Sequence, residues 1–391
     1  MKKQILLVTL LVCGFFTIST FANATDTNVP EPFRGYDAKS KLTIDYRDLD
    51  SLLDAVVLNT GRSDRKKAAS TRSQTGTRMK ISINRATVNE GNRFFFEVFE
   101  SNAGNRQILV EIRKRLENIP SVVSLARFSR DEQLAYWINL YNVTILGEIV
   151  KVYPERKLEE LLVGSNSVLE KKTLVVAGVP LSLNDIQFTI LKHNYENNPL
   201  VIYGLYQGII GGPNIRKSAY TGKYVYADLI DNAMEFINSN RGTESKNSRV
   251  FRVSSFYERN KVFFPDFNTD LTAHLLTYLE GEEHDELQAA TKIRTDIEDW
   301  TITDLYGSSR NLGGALAHNN AALDGAVSGS NSSRLTSRAA VMSRYDPAVI
   351  QKLNELNQKT AEQREGSVTI EEMGQNTDET EAIGQDDSGN N

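Results

Sequence analysis

Cysteine is almost absent from this sequence: the 391 residues contain one, Cys13, close to the amino terminus. The stretch around it begins with Lys2 and Lys3, continues as the apolar run ILLVTLLVCGFF and ends in the small residues Ala22–Ala24. A basic head, an apolar core and small residues at a cleavage position are typical of a secretory signal peptide. We therefore expect cleavage after Ala24 and a periplasmic or secreted mature chain without cysteine. Such a chain forms no disulfide, uses no thiol nucleophile and binds no metal through sulfur.

Histidine is also scarce, with four residues at His193, His274, His284 and His318. None of them is paired at the spacing that zinc sites need, so the sequence predicts no metal site. The sequence also lacks a dinucleotide fingerprint, a P-loop and a nucleophile elbow. We therefore expect no cofactor.

Most of the chain has no excess of positive or negative charge. The net charge is −5, and it becomes −7 without residues 1–24, but the excess of acidic over basic residues lies near the C-terminus. A nearly neutral body has no general attraction for nucleic acid, so we expect no nucleic-acid partner. After the signal peptide, no stretch is long and apolar enough to span a membrane.

Composition divides the mature chain into three parts. Residues 127–312 are expected to form the main domain, and residues 25–126 an N-terminal extension packed on it. The extension has a basic loop near 62–85, which is either an anion site or a solvated loop; its Ser, Thr and Gly content favours the solvated loop. Residues 313–391 are small, polar and acidic, so we expect a disordered tail with one helix near 346–365.

The middle of the chain has mainly helical patterns. FSRDEQLAYWINLYNVTILGEIVKVYP predicts a long buried helix that begins with a capping box of Ser129 and Glu132. KTLVVAGVPLS predicts a hairpin that turns at Ala177–Gly178, before a helix capped by Ser182 and Asp185. PLVIYGLY predicts a buried strand, YVYADLIDNAMEFINSN a helix and RVFRVSSF another strand. The expected class is α+β: a mainly helical single domain with a few short strands, plus the disordered C-terminal tail.

Polar residues interrupt the apolar pattern of the long helix. Trp137, Asn139 and Asn142 lie on or beside its apolar face. A buried amide without a partner costs about 1–3 kcal/mol, so each asparagine is expected to bind backbone that enters the core. Two interpretations remain open: the amides brace a loop, which the physical cost favours, or they line a cleft.

The segment LYQGIIGGPNIRKSAYTG, Leu205–Gly222, has the pattern of an active-site turn: an apolar run, glycines, a proline and a polar loop. It nevertheless contains no Cys, His, Asp or Glu. Proton transfer and nucleophilic attack need such groups. The segment therefore contains no reactive side chain that would account for a glycine-rich turn of this kind.

Four blocks together resemble the domain of unknown function 547 family over roughly Arg127 to Gly307: DEQLAYWINLYNVTIL, VPLSLNDIQFTIL, LYQGIIGGPNIRKSAYTG and IEDWTITDLYG. The resemblance implies a Glu-His pair where this chain has Gln187 and Phe188. It also implies cysteines where this chain has Gln207 and Gly212. A thiol, an imidazole and an acid in one turn would suit nucleophilic catalysis, and this chain lacks all three. The resemblance therefore implies a pseudoenzyme-like cleft.

The loop otherwise keeps the family pattern, so we expect a non-catalytic binding or scaffold protein with a small ligand or a protein as its partner. A thiol-independent hydrolase that uses Asp185, Asp228 or Tyr220 is the rival interpretation, and a structural component of the envelope is a third. The sequence thus assigns no catalytic residue and predicts these cleft residues: Trp137, Asn139, Asn142, Asp185, Gln187, Phe188, Gln207, Gly211, Gly212, Pro213, Asn214 and Tyr220.

Overall fold

Helices predominate in the computed structural model of the protein, which describes residues 28–67, 84, 86–88, 90–100, 103–195, 198–247 and 249–304. The expected α+β class, mainly helical with a few short strands, is confirmed. The signal peptide at 1–24, the tail at 313–391 with its helix near 346–365, and most of the basic loop near 62–85 lie outside the described residues.

The elements follow one another in chain order. The helices are α1 Arg47–Val56, α2 Glu97–Glu100, α3 Ala103–Val122, α4 Arg130–Val152, α5 Glu159–Val163, α6 Lys192–Asn194, α7 Val225–Ile237, α8 Ser255–Arg259, α9 Phe267–Tyr278 and α10 Glu282–Ala289. The strands are β1 Val57–Leu58, β2 Arg93–Phe94, β3 Leu174–Val176, β4 Val179–Leu181, β5 Thr243–Asn247, β6 Val250–Ser254 and β7 Lys292–Ile297. Strand pairs β1–β2, β3–β4 and β5–β6 are antiparallel, whereas β6–β7 is parallel.

The long helix α4 forms the centre of the core. Its backbone begins where the capping pattern predicts, since the hydroxyl of Ser129 accepts the N–H of Glu132 at 3.2 Å. Leu134, Ile138 and Ile145 are completely buried, and the helix is buried on nearly every side. A helix with this composition is stable only inside a protein, where α3 and other elements cover it.

The hairpin and the helix after it form as the sequence predicts. Ala177 and Gly178 both have positive φ, at 47° and 77°, which is the backbone of a tight two-residue turn. The Ser182 hydroxyl accepts the N–H of Asp185 at 3.0 Å, and the Asp185 carboxylate accepts the N–H of Ser182 at 2.7 Å. The helix that follows has π geometry over Asp185–Leu191, a form that is often found at functional sites.

The apolar run PLVIYGLY is not a strand, so that prediction is wrong. Pro199–Gly204 form a 3₁₀ helix, which begins where the side chain of Asn198 accepts the N–H of Leu200 at 3.1 Å. A short apolar run has no period that separates a buried strand from a buried helix. The Asn-Pro start, a capping residue followed by proline at the first helical position, decides for the helix.

The strand predicted from RVFRVSSF is confirmed as β6, the middle strand between β5 and β7. Helix α8 follows β6 directly, and the Ser254 hydroxyl caps it by accepting the N–H of Phe256 at 3.2 Å. This arrangement fixes the position of Arg259, at the end of α8, and of the buried Asn260 next to it.

Candidate functional site

The glycine-rich segment pairs with a distant stretch of chain. The N–H of Ile210 binds the carbonyl of Thr301, and the N–H of Gly211 binds the carbonyl of Asp299, each at 2.8 Å. A Cβ atom at Gly211 would lie 2.8 Å from that carbonyl oxygen, so the close approach of the two backbones requires glycine. Gly212 and Pro213 are buried together with the rest of this turn.

Two asparagines of α4 hold the two ends of this segment. Asn142 donates to the carbonyl of Gly204 and accepts the N–H of Tyr206, both at 2.9 Å. Asn139 donates to the carbonyl of Tyr220 at 2.8 Å and accepts its N–H at 2.9 Å. Each amide thereby satisfies two backbone groups in the core, which is the bracing geometry that the cost of buried polar groups favours.

A third asparagine completes the bracing, and the sequence did not single it out. Asn232 on α7 donates to the carbonyls of Tyr203 and Asn214, each at 3.1 Å, and to the Tyr220 hydroxyl at 3.0 Å. The side chain of Asn214 in turn accepts the N–H of Asn92 at 2.8 Å, so it too serves structure. An Asn inside an apolar helix was the available signal, the same signal that identified the α4 asparagines.

Glu132 is a second residue that sequence reasoning missed, because its spacing was explained by the capping box. Its carboxylate accepts the N–H of Ile44 at 2.9 Å and that of Gly222 at 3.1 Å. Burial raises its pKa, and the two N–H donors oppose the shift. The carboxylate thus ties the end of the glycine-rich segment to the N-terminal extension.

The two glutamines predicted to line the cleft reach neighbouring residues of α8 and its end. Gln207 accepts a hydrogen bond from the guanidinium of Arg259 at 3.2 Å, and Gln187 donates to the side chain of Asn260 at 2.5 Å. Both glutamines are almost fully buried. Because Arg259 and Asn260 are consecutive, one short helix end connects the π helix with the glycine-rich segment.

Aromatic rings border this connection. Phe188 is half-buried, and its ring centroid lies 6.5 Å from that of Phe263. The indole of Trp300 lies 4.6 Å from the Arg259 guanidinium carbon, a cation–π distance. We call the group Gln187, Phe188, Gln207, Arg259 and Trp300 the amide cleft, after the cleft that the resemblance implies.

Trp137 does not join this group through its ring contacts. It packs edge-on against Phe33 and Tyr136, with both centroid distances at 5.0 Å. The indole is completely buried, which makes it a core residue beneath the N-terminal extension.

The residues of the rival hydrolase are only partly brought together. Arg216 binds Asp228 at 2.6 Å and lies 5.5 Å from the ring of Tyr220, beside a cavity of about 10 Å³ that is large enough for one water. Burial raises the pKa of the Tyr220 hydroxyl, which therefore stays protonated at neutral pH. Asp185 binds Ser182 and Lys172 instead, as a helix cap.

The described end of the basic loop is paired with carboxylates. Arg65 lies 3.3 Å from Glu283, Lys67 lies 3.5 Å from Glu244 and Lys66 binds the neighbouring Asp64 at 3.0 Å. Cations that are paired in this way leave less positive charge for an external anion.

Two features are absent from the described part of the chain. Within it, no group of three or more His, Cys, Asp or Glu side chains could hold a metal ion. No helix there has the length and the apolar composition that crossing a membrane requires.

Comparison with known proteins supports the resemblance of the middle of the chain. Residues 125–237 match a family model described as "Protein of unknown function, DUF547". The match covers α4, the hairpin, the π helix, the glycine-rich segment and α7, and it ends before Arg259 and the IEDWTITDLYG block. Searches of curated proteins and of solved structures found no match.

Proposed function

We propose that this chain is an exported protein that binds a ligand in the amide cleft without transforming it. The observation that carries the proposal is the pair of hydrogen bonds that Arg259 donates to Gln207 and that Gln187 donates to Asn260. The two glutamines occupy positions where the resemblance implies a thiol and an acid. Their hydrogen bonds join two elements that a catalytic site would also have to join.

The chemistry of these groups favours recognition over catalysis. Amides donate and accept hydrogen bonds but neither transfer protons nor attack at neutral pH. Phe188 stands where the resemblance implies an imidazole, and it offers an apolar surface instead. A few polar groups set among aromatic rings are the usual lining of a small-molecule site.

The protein carries its own reporter for this proposal. Trp300 lies in the amide cleft and Trp137 in the core, and the chain has no other tryptophan. In a ¹⁵N-labelled sample, screening a library of small polar and aromatic fragments should shift the indole N–H signal of Trp300 and not that of Trp137. A Trp300→Phe variant assigns the signals.

Two substitutions test whether the cleft does the binding. Gln207→Ala should weaken any fragment that shifts Trp300, whereas Gln107→Ala on the exposed face of α3 should not. A library that leaves Trp300 unmoved, or fragments that bind Gln207→Ala as tightly as the wild type, would remove the support for a binding cleft.

The rival hydrolase is tested by turnover. The wild-type protein should hydrolyse p-nitrophenyl esters no faster than the Asp228→Asn variant, which removes the carboxylate paired with Arg216. Hydrolysis that saturates with substrate and disappears in Asp228→Asn would establish the rival.

Export is tested separately by fractionating cells and sequencing the mature amino terminus, which should begin at Thr25.

A further inference from the structure

Arg259 is an arginine set in a largely buried site with neutral partners. Its guanidinium donates to the Ser255 hydroxyl at 2.8 Å and to Gln207 at 3.2 Å, and it stacks on Trp300. No carboxylate among the described residues forms an ion pair with it; the largest charge effect on its pKa comes from the exposed Glu298. Burial lowers the pKa of Arg259 to about 10, so it remains a cation at neutral pH.

Two further hydrogen-bond donors lie beside this cation. The hydroxyl of Tyr141 is completely buried next to Gln207 and Arg259, and its contact with the Gln207 side chain is at most a weak hydrogen bond. The indole N–H of Trp300 is also buried and unpaired. Buried donors without acceptors are uncommon in folded proteins and call for a physical explanation.

One kind of ligand would satisfy all three groups. A carboxylate supplies a negative charge and up to four acceptor positions, and it matches the planar guanidinium in two parallel hydrogen bonds. The half-buried ring of Phe188, which follows Gln187 in the chain and lies 6.5 Å from the ring of Phe263, offers an apolar surface for the rest of such a ligand. A phosphate would bring more charge and more oxygens than one cation and two donors can satisfy.

We propose that the amide cleft binds a small carboxylate with an apolar or aromatic body, with Arg259 as the charge partner of its carboxyl group. Tyr141 and Trp300 donate the remaining hydrogen bonds. This inference rests on the proposed binding function and adds the chemical class of the ligand.

A matched pair of probes tests the inference on the mature chain. 3-Phenylpropionate and its uncharged analogue 3-phenylpropanamide have the same body and differ in charge. The acid should shift the Trp300 indole signal in a saturable way while the Trp137 signal stays fixed, and the amide should bind about tenfold to a hundredfold more weakly, since a hydrogen bond to a charged group contributes about 1.5–3 kcal/mol.

Variants assign the effect to Arg259. Arg259→Gln should weaken the acid by a similar factor and leave the amide unchanged, whereas Arg294→Gln should alter neither. Arg294 is a suitable control because it is half exposed on the neighbouring strand β7, paired with Asp296.

Tyr141→Phe separates a binding role from a structural one. Because the hydroxyl makes at most a weak hydrogen bond to Gln207, its removal should leave the unfolding midpoint nearly unchanged, yet weaken the acid severalfold. This variant also serves if Arg259→Gln does not fold.

The outcomes are distinct. Equal binding of acid and amide, or binding of the acid that Arg259→Gln and Tyr141→Phe do not weaken, overturns the carboxylate inference and leaves the binding cleft in place. An acid that does not shift Trp300, in a protein that neutral fragments do shift, also overturns it. If no fragment shifts the indole signal of Trp300, both the proposed function and this inference are refuted.

Discussion

The replacement of Asn142 by leucine tests the bracing of the glycine-rich segment most directly. Leucine has nearly the same size and a better helix propensity, so α4 itself should tolerate the change. The substitution removes both hydrogen bonds of Asn142, and the Gly204 carbonyl and the Tyr206 N–H are then left in a dry interior.

The expected cost follows from these two groups. Each unpaired buried backbone group costs about 1–3 kcal/mol, and burying the leucine side chain returns about 1.5–3 kcal/mol. The free energy of unfolding should therefore fall by about 1–3 kcal/mol for Asn142→Leu, and by a similar amount for Asn139→Leu, whose partners are the two backbone groups of Tyr220.

Urea denaturation followed by circular dichroism measures this cost. Asn268→Leu, on the exposed side of α9, is the matched control and should change stability by less than about 0.5 kcal/mol. The Asn139→Leu/Asn142→Leu double variant should lose less than the sum of the single losses, because both residues hold the same segment. If both single variants were as stable as the wild type, the bracing argument would be refuted.

Three further predictions follow from particular residues. Gly211→Ala should lower stability in thermal unfolding by about 1–3 kcal/mol, since its Cβ would meet the backbone of Asp299. Gly147→Ala on α4 is the control: a Cβ there meets nothing within 4 Å, so the change should be neutral or stabilising. Equal effects of the two substitutions would contradict the close approach. Burial lowers the pKa of His274 from 6.5 to about 4. The unfolded chain then binds the proton more tightly, so stability should be full above about pH 6.5 and fall by about 3 kcal/mol towards pH 4; His274→Gln should flatten this fall, and the exposed His193→Gln should not. Thiol-directed reagents should leave the purified mature protein unlabelled, because Cys13 is the only cysteine; labelling seen by mass spectrometry would mean that residues 1–24 are retained.

Local patterns in the sequence were sufficient for much of the helical framework. The capping position of Ser129, the turn at Ala177–Gly178 and the paired bonds of Ser182 and Asp185 depend on residues within a few positions of one another. Interactions of this kind depend on backbone sterics and short-range hydrogen bonds, so they can be predicted from the local sequence alone. The cost of burying an amide likewise predicted that Asn139 and Asn142 would bind backbone, although not which backbone.

The composition of the amide cleft depended on contacts between residues far apart in the chain. Gln207 meets Arg259 across 52 residues, Gln187 meets Asn260 across 73, and the glycine-rich segment pairs with residues 299–303. The secondary structure of PLVIYGLY also depended on the rest of the fold, because its apolar residues fit a buried strand and a buried helix equally well. The sequence by itself determined which groups cannot react: no thiol after residue 24 and amides where an acid or a thiol would act. Which cation and which hydrogen-bond donors lie beside those amides was decided by tertiary packing, since only the folded chain brings Arg259 next to Tyr141 and Trp300.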